Sequence, residues 1–445
     1  MWSTFIVILC FFLVIHLWQN RTFYRLVWQM PGPSLWFFNK NFSGFNRGIP
    51  RGNIFFRIIK ECLMNYKTPL RCWIGTTFYI ILEEPEDIKT VLNSQHCLNH
   101  PFTYEFVKPF FGNGLSTIST PQWNVHRKLL NSTFNTKIFK SYLPIFNKES
   151  KVLVSRLEEL CNKKELTDIS LYTKAVTYDT VYHTTLNREI NTQKNQNFHL
   201  LECSNKVAAM CGERIFNALY YWDSIYHRTS HYKELKKNEQ IIREPTIKGY
   251  ETTGNALAYC ILMLGMFPEH QGKMYEEIKS VMLDESQDIQ WEDLGKCNYI
   301  ERFIKEILRL FPSAPLTSRK STETIQLGKY IVPANTNFLL PLFLLHRDKE
   351  FWGPTAEDFD PDRFLPENVK SIHPYAYLPF SGGPRICPGI KYAHMILKTI
   401  LIRTVRKFKF RTDLKMADLE FEFDITLNIM NKHMVYVEKE IIIIN

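Results

Sequence analysis

The sequence lacks several features that would assign it to a common structural class. Its ten cysteines include no Cys-x-x-Cys pair and show no dense, regular spacing, which argues against a disulfide scaffold and favours a reducing compartment. It contains no low-complexity segment, no repeat at a solenoid period and no nucleic-acid-binding motif. Because hydrophobic residues make up 45% and charged residues 22% of the chain, a disordered protein is excluded and a folded one is expected.

Long tracts of one charge are also absent. The 55 basic and 45 acidic residues give a net charge of +10, and the basic residues are scattered along the chain. Attraction to anionic lipid would be one consequence of this balance, but an ordinary solvated surface is the simpler interpretation. The charge pattern therefore predicts no nucleic-acid partner.

One short stretch, HCLNH, groups side chains that can bind a metal. His96, Cys97 and His100 lie within five residues of each other, and histidine and cysteine are the usual zinc ligands. A second half-site with similar spacing is missing from the sequence. A polar loop is therefore the favoured interpretation.

The amino terminus is almost continuously apolar. Residues 5–17 form the apolar run, which lies between Trp2 and Trp18 and is followed by Arg21. A helix over residues 2–18 would span roughly 25 Å, close to the thickness of a bilayer core, with both tryptophans at interfaces. A cleaved signal peptide would normally have a basic start and a small-residue cleavage site, and neither is evident. We predict an uncleaved anchor over residues 1–20, with the rest of the chain facing the cytoplasm.

Patterns in the remaining chain predict a mainly α fold with small β-sheets, of the α+β class. A Pro-Gly hinge is expected over residues 21–34 and a single domain over 35–445. Hairpins are predicted at 71–82, RCWIGTTFYIIL, and at the carboxyl end, where alternating LEFEFDITL would pair with MVYVEKEIIII. Helices are predicted from Pro121, with Thr120 as the cap, and over 300–311.

The stretch FSGGPRICPG, residues 380–389, carries the strongest signal. Glycines around a cysteine predict a tight loop whose backbone can approach a flat, metal-bearing group while Cys387 offers its sulfur. The fixed letters of Phe-x-x-Gly-x-Arg-x-Cys-x-Gly would arise by chance in roughly one chain of this length in ten thousand. Glu-x-x-Arg, seen at Glu306 and Arg309, occurs about once per chain by accident. The Glu-x-x-Arg motif is therefore informative only through its order and spacing relative to the other motifs.

In their order and spacing these motifs resemble those of membrane-bound cytochromes P450, in particular family 4 and its relatives, which are common in insects. They are PGP at 31, WNVHR at 123, GYETT at 249, EILR at 306, FDPDRF at 359 and FSGGPRICPG at 380. The resemblance implies the cytochrome P450 fold, with an N-terminal transmembrane anchor helix and one haem-thiolate monooxygenase domain. It implies haem b as cofactor and NADPH as the indirect source of electrons. The implied partners are NADPH–cytochrome P450 reductase, cytochrome b5 as a second candidate donor, membrane lipid and a lipophilic substrate, at the endoplasmic reticulum membrane.

The resemblance also assigns roles to individual residues around the haem. Cys387 would be the thiolate ligand of the iron, Phe380 would shield that face from water, and Gly383 and Gly389 would let backbone N–H groups approach the sulfur. A buried cysteine in an ordinary turn is the alternative. The side chains expected to bind the haem propionates are Trp123, Arg127, Arg319 and Arg385. For any one arginine, a surface salt bridge is the alternative, and Arg319 lies outside the tight motifs.

Two other groups of residues receive roles in the same way. Glu306, Arg309 and Arg363 would form a buried ion network with a structural role, because loss of one charge would leave the others unpaired. Glu251 and Thr252, in GYETT, would relay protons to dioxygen on the distal side of the haem.

The chain departs from the family pattern before the GYETT motif. Arg127 and Thr252 are 125 residues apart, several tens fewer than in such enzymes. We assign the loss to about residues 235–249, where Pro245 would start the distal helix late and remove its first half. Lys248 stands where relatives carry a small residue or a glutamate. It could pair with Glu251 and so remove a proton-relay group.

The sequence therefore predicts a monooxygenase acting on a fatty acid, hormone, odorant or xenobiotic. The alternative is a catalytically inactive, membrane-anchored haem-binding paralogue, or a truncated gene product that lacks part of the distal helix. An isomerase that needs no reductase is disfavoured because Glu251 and Thr252 are retained.

Overall fold

The described part of the chain is mostly helical, with four small sheets. The structure, a computed structural model, describes residues 2–34, 49–74, 77–196, 198–242, 249–282, 284 and 287–439. The principal helices are α1 (Trp2–Gln19), α2 (Arg21–Val27), α3 (Arg51–Asn65), α4 (Pro85–Asn93), α5 (Gln122–Asn131), α6 (Thr136–Lys163), α7 (Ser170–Leu186), α8 (Phe198–Phe216), α9 (Ser230–Ile241), α10 (Tyr250–Met266), α11 (Pro268–Val281), α12 (Trp291–Lys296), α13 (Asn298–Leu310) and α14 (Ile390–Val405). The strands are β1 (Leu70–Ile74), β2 (Thr77–Ile81), β3 (Thr167–Asp168), β4 (Thr317–Lys320), β5 (Ile325–Leu327), β6 (Tyr330–Val332), β7 (Asn337–Leu340), β8 (Phe408–Arg411), β9 (Phe421–Phe423), β10 (Leu427–Ile429) and β11 (Met434–Lys439).

The largest sheet has four strands in the order β1-β2-β7-β4. β1 and β2 are antiparallel, with Arg71 opposite Ile80, so the predicted hairpin at 71–82 is confirmed. Its Gly-Thr turn residues lie outside the described part of the chain. β7 runs parallel to β2, and β4 pairs antiparallel with β7. This sheet carries Arg319, in β4, toward the cysteine loop.

Helix α10 lies at the centre of the main core. Every residue from Thr253 to Gly265 is buried, and a helix that is buried on all sides requires the nearly continuous apolar sequence found there. It packs against α7, α13 and α14. Helix α10 begins at Tyr250 with Gly249 as its N-cap, five residues after the start predicted at Pro245, which itself lies outside the described residues.

Two predictions about helix boundaries have different outcomes. The helix predicted over 300–311 is confirmed as α13, which ends at Leu310 before Pro312. Helix α5 begins at Gln122, one residue after the predicted start. Thr120 is not its cap, because the Thr120 hydroxyl and N–H both donate to Asn99 Oδ1 at 2.9 Å.

The predicted pairing at the carboxyl end is wrong. The stretch LEFEFDITL and the residues after it fold back on themselves as the β9–β10 hairpin, and β11 pairs with β8 and β3 instead. The reason lies in α3, since Asn53 donates to Phe421 O at 2.6 Å and accepts from Phe423 N at 3.0 Å. Asn53 therefore occupies backbone groups of β9 that a second strand would have needed.

Helix α1 covers the predicted anchor. Among the residues that the structure describes, no helix meets the combined length and apolarity needed to cross a membrane. The anchor is therefore not confirmed.

Candidate functional site

The loop before α14 presents the Cys387 thiol. The Cys387 N–H donates to Phe380 O at 3.0 Å, which closes the loop, and the Gly389 N–H donates to Cys387 Sγ at 3.4 Å. The thiol has an accessible surface, yet desolvation raises its pKa, opposed by the Gly389 bond and the charge of Arg127. We infer that the sulfur faces a recess within the protein rather than open solvent.

Gly383 packs the cysteine loop against α4. It adopts a φ of +65°, and a Cβ there would lie 1.9 Å from Leu92 O at the end of α4. Glycine is therefore required for the loop to pack against α4. A Cβ on Gly389 would lie at an ordinary contact distance of 3.7 Å from Cys387 Sγ. The contribution of Gly389 is its N–H group.

Three arginines predicted for propionate binding lie together beside this loop. Burial, and then the charges of Arg319 and Arg127, together lower the pKa of Arg385 to about 10. The Arg319 guanidinium donates to Ser381 Oγ at 2.8 Å and is only 2% exposed. Among the described residues none of the three forms an ion pair with an acidic side chain. At this exposure Arg319 lies inside the protein rather than at its surface.

Trp123 connects the arginines to α5. It is buried, and the guanidinium carbon of Arg385 lies 4.3 Å from the centre of its ring. Arg385 also donates to Leu115 O at 3.0 Å and Ile118 O at 2.9 Å. Its Nε is buried without a hydrogen-bond partner in the described part of the chain. This atom and the surplus of positive charge fit an anionic ligand.

His100 is a neighbour of the cluster that sequence reasoning did not assign to it. Its Nδ1 donates to Ser318 O at 2.9 Å, and its ring stacks on Tyr104 with centroids 4.0 Å apart. Burial lowers its pKa well below the ordinary value, and Arg319 and Arg385 add to that effect. No group of three or more His, Cys, Asp or Glu side chains that could hold a metal ion occurs among the described residues.

The predicted ion network is present and buried. Arg309 donates Nε and Nη2 to Glu306 at 2.7 and 2.8 Å, and both side chains are fully inaccessible. Arg363 Nε lies 3.6 Å from Glu306 Oε1, and Asp360 N donates to the same oxygen at 2.9 Å. The network joins α13 to the segment that leads into the cysteine loop.

His346 joins the network to the cysteine loop. Its Nδ1 donates to Arg309 O at 3.2 Å, and its Nε2 accepts from Leu378 N at 2.9 Å. The bond from Leu378 requires the neutral ring, because a charged ring carries a proton on Nε2 and cannot accept there. Burial, followed by the charge of Arg309, lowers the pKa of His346 to about 3.

We expect this histidine to make the fold sensitive to acid. The native pKa is below the unfolded one, so its stabilisation is complete above about pH 6.5 and is lost as pH falls toward 3. His346→Gln can keep both hydrogen bonds without titrating. Urea unfolding between these pH values should show a slope smaller by up to about 1.4 kcal/mol per pH unit than in the unsubstituted protein. Exposed His199→Gln is the control, and equal slopes for His346→Gln and the unsubstituted protein would contradict the prediction.

Glu251 and Thr252 lie in the first turn of α10 and use different partners. Glu251 accepts from Thr426 Oγ1 at 3.1 Å. The Thr252 hydroxyl donates to Gly249 O at 3.3 Å, and its carbonyl accepts from Ser313 Oγ at 2.8 Å. Lys248 lies outside the described residues, so its pairing with Glu251 stays a prediction.

The residues of this site fit a haem. A thiol with an N–H donor to its sulfur suits a thiolate ligand of iron. The buried Arg319 and the partly buried Arg127 and Arg385 have no acidic partner among the described residues and, with Trp123, suit two propionates. Cys387 would hold the iron, and Arg127, Arg319 and Arg385 would hold the carboxylates.

Comparison with known proteins gives the same family. The profile described as Cytochrome P450 matches residues 30–248 and 243–434. "Probable cytochrome P450 313b1" of Drosophila melanogaster is 27% identical over 488 positions, covering 95% of this chain and 96% of that protein. "Cytochrome P450 4c3" of the same organism is 27% identical, covering 92% and 89%. "Cytochrome P450 4V2" of Homo sapiens is 29% identical, covering 86% and 85%.

The alignments also bear on length. The first one runs over 488 positions but covers 95% of a chain of 445 residues, so it includes several tens of positions at which this chain has no residue. The two parts of the profile match meet at residues 243–248, inside the segment where we predict the shortening. The profile covers most of the chain, and the chain therefore belongs to the cytochrome P450 family, whose members are monooxygenases with a cysteine-ligated haem and NADPH-derived electrons.

Proposed function

We propose that this protein inserts one oxygen atom of O₂ into a lipophilic substrate and reduces the other to water. The observation that carries the proposal is the Cys387 thiol, which accepts from Gly389 N–H and lies near the cluster of Arg127, Arg319 and Arg385. Bound haem would supply the activation of dioxygen. The substrate would come from the fatty acids, hormones, odorants or xenobiotics.

The residues of the chain would divide the remaining tasks. Cys387 would hold the iron, and the backbone N–H of Gly389 would temper the charge on its sulfur. Arg319 and Arg385 would fix the orientation of the haem through its carboxylates. Thr252 and Glu251 would hold and move protons on the distal side.

We also propose that the protein works at the endoplasmic reticulum membrane. The described side chains of α1 include large apolar groups with exposed fractions of 62 to 67%, namely Val7, Phe11, Val14 and Trp18. An exposed apolar face of this kind suits contact with lipid. Electrons would come from NADPH–cytochrome P450 reductase, with cytochrome b5 as an additional donor.

An inactive haem-binding paralogue is the second candidate. It is favoured by the several tens of positions of the first alignment at which this chain has no residue. Such a protein would bind haem on Cys387 but lack part of the distal helix needed for turnover.

Reconstitution with reductase in lipid vesicles separates the two candidates. We expect NADPH-dependent oxygen consumption, and product from at least one of dodecanoic acid, a steroid, a terpenoid alcohol and a chlorinated aromatic compound. With isotopically heavy O₂, the product should gain one heavy oxygen atom. A protein with full haem content and no NADPH-dependent oxygen consumption would contradict the proposal and support the inactive paralogue.

A further inference from the structure

A line of hydrogen bonds connects α10 to the β9–β10 hairpin. Asn255 Nδ2 donates to Asn428 Oδ1 at 3.2 Å, Asn428 Nδ2 donates to Thr426 Oγ1 at 3.4 Å, and Thr426 Oγ1 donates to Glu251 Oε1 at 3.1 Å. Glu251 and Asn255 are four residues apart and therefore lie on one face of the helix. The hairpin spans that face over one turn.

All three bonds are directed toward the carboxylate. Each side chain donates to the next, so the dipoles add and the last donor is polarised by those behind it. Glu251 is 3% exposed and Thr426 is equally buried. A carboxylate at such depth is stable only when donors satisfy it. The three hydrogen bonds therefore help to orient the Glu251 side chain and to stabilise its carboxylate.

The hairpin is held firmly enough to act as a support. The ring of Phe423 stacks on Phe56 with centroids 3.9 Å apart. Leu427 N donates to Ser313 O at 3.0 Å, and Ser313 Oγ donates to Thr252 O at 2.8 Å. One short segment thus ties the hairpin to the turn of α10 that carries Glu251 and Thr252.

Asp424, also in the hairpin segment, is an acidic neighbour of Glu251. Burial, and then Glu422, Glu251 and Glu213, raise the pKa of Asp424 to about 8, while Lys174 opposes the shift. Asp424 therefore keeps its proton near neutral pH. Its carboxyl then adds no negative charge against Glu251 at this corner.

We propose that Thr426, backed by Asn428 and Asn255, is a positioning residue that holds the Glu251 carboxylate in the orientation from which protons reach the distal side. The inference rests on the proposed monooxygenase function. Proton delivery would then depend on a residue of the β9–β10 hairpin as well as on residues of α10.

Two variants that differ by one hydroxyl test the proposal. Thr426→Val keeps the shape and removes the donor, whereas Thr426→Ser keeps the donor. The first measurement is the infrared difference spectrum of the haem-loaded protein, in which the band that disappears in Glu251→Gln is assigned to the Glu251 carboxyl group. That band should be shifted in Thr426→Val and unchanged in Thr426→Ser. This infrared measurement does not depend on turnover.

The second measurement is the coupling of NADPH oxidation to product formation during turnover with reductase. Thr426→Val should divert electrons to hydrogen peroxide, with the coupled fraction falling by about tenfold, as expected for one lost hydrogen bond to a charged group. Thr426→Ser should stay near the unsubstituted protein. Thr404→Val, which removes a buried hydroxyl bonded to Ile400 O at 2.8 Å in α14, controls for loss of packing.

The outcomes separate this inference from the proposed function. An unshifted Glu251 band in Thr426→Val, or unchanged coupling in an active enzyme, overturns the role of Thr426. No NADPH-dependent oxygen consumption in the unsubstituted, haem-loaded protein overturns the proposed function, while the infrared shift still decides whether Thr426 orients Glu251.

Discussion

The Cys387→Ala variant is expected to lose all measurable monooxygenase turnover, a fall of more than about a hundredfold. Loss of groups that only support a metal ligand already costs 10- to 100-fold in affinity or activity, by order of magnitude, so loss of the ligand itself should cost more. Haem content per chain after purification, and NADPH-dependent oxygen consumption with reductase, are the measurements. Haem retention in this variant should be reduced, because the arginines would still attract the propionates but nothing would hold the iron.

A second free cysteine, away from the loop, provides the control. Cys297 is buried between α12 and α13, and Cys297→Ala should keep both its haem and its activity. Equal activities for the Cys387→Ala protein and the Cys297→Ala protein would contradict the assignment of the thiolate to Cys387.

The Glu306→Gln variant is expected to unfold more easily by about 3–5 kcal/mol. The substitution removes one charge from a fully inaccessible pair and leaves the Arg309 guanidinium uncompensated in the core. Arg309 also donates to His346 O at 2.8 Å and to Ala356 O at 2.6 Å, so its displacement would disturb the segment leading to the cysteine loop. Urea unfolding of the haem-loaded protein measures the effect.

A surface pair of the same spacing serves as the comparison. Arg156 and Glu159 form a 2.6 Å pair in α6, with 56% of the glutamate side chain exposed, and Glu159→Gln should cost less than about 1 kcal/mol. Replacing both Glu306 and Arg309 by methionine should cost less than the sum of the single changes, because no charge is then left unpaired. Equal costs at positions 306 and 159 would show that the buried network does not stabilise the fold.

The parts of the fold that could be predicted from sequence depend on local patterns. The apolar stripe that ends before Pro312 defines α13, and the aromatic and β-branched residues around a Gly-Thr turn define the first hairpin. Pairing at the carboxyl end failed because it depends on a distant residue. Asn53 bonds to both ends of β9, and nothing in the alternating pattern of LEFEFDITL indicates that.

In the candidate site, too, the residues that are close in sequence were predictable and the contacts between distant residues were not. The cysteine loop was predictable because its glycines, arginine and cysteine lie within ten residues. The contact between Thr426 and Glu251 could not be predicted from sequence, because the two residues are 175 positions apart. His100 was visible in HCLNH, but its neighbours Arg319 and Arg385 come from β4 and the cysteine loop. Only the folded chain brings them together.

The shortening that we predict before Gly249 raises a separate question of function. In the described structure Thr252 and Glu251 occupy the first turn of α10, where a helix has unsatisfied N–H groups and frays most easily. The carbonyl of Thr252 is nevertheless tied by Ser313, and the carboxylate of Glu251 by Thr426. These tertiary bonds replace part of the support that a longer helix would give.

The most direct test of a haem-thiolate centre in this chain is the carbon monoxide difference spectrum of the reduced, purified protein. The geometry of Cys387, with its Gly389 N–H donor and the nearby arginine cluster, predicts the Soret band characteristic of a thiolate-ligated haem, in an amount close to one haem per chain. A haem-loaded protein that lacks this band would contradict thiolate ligation by Cys387, and with it the proposed function.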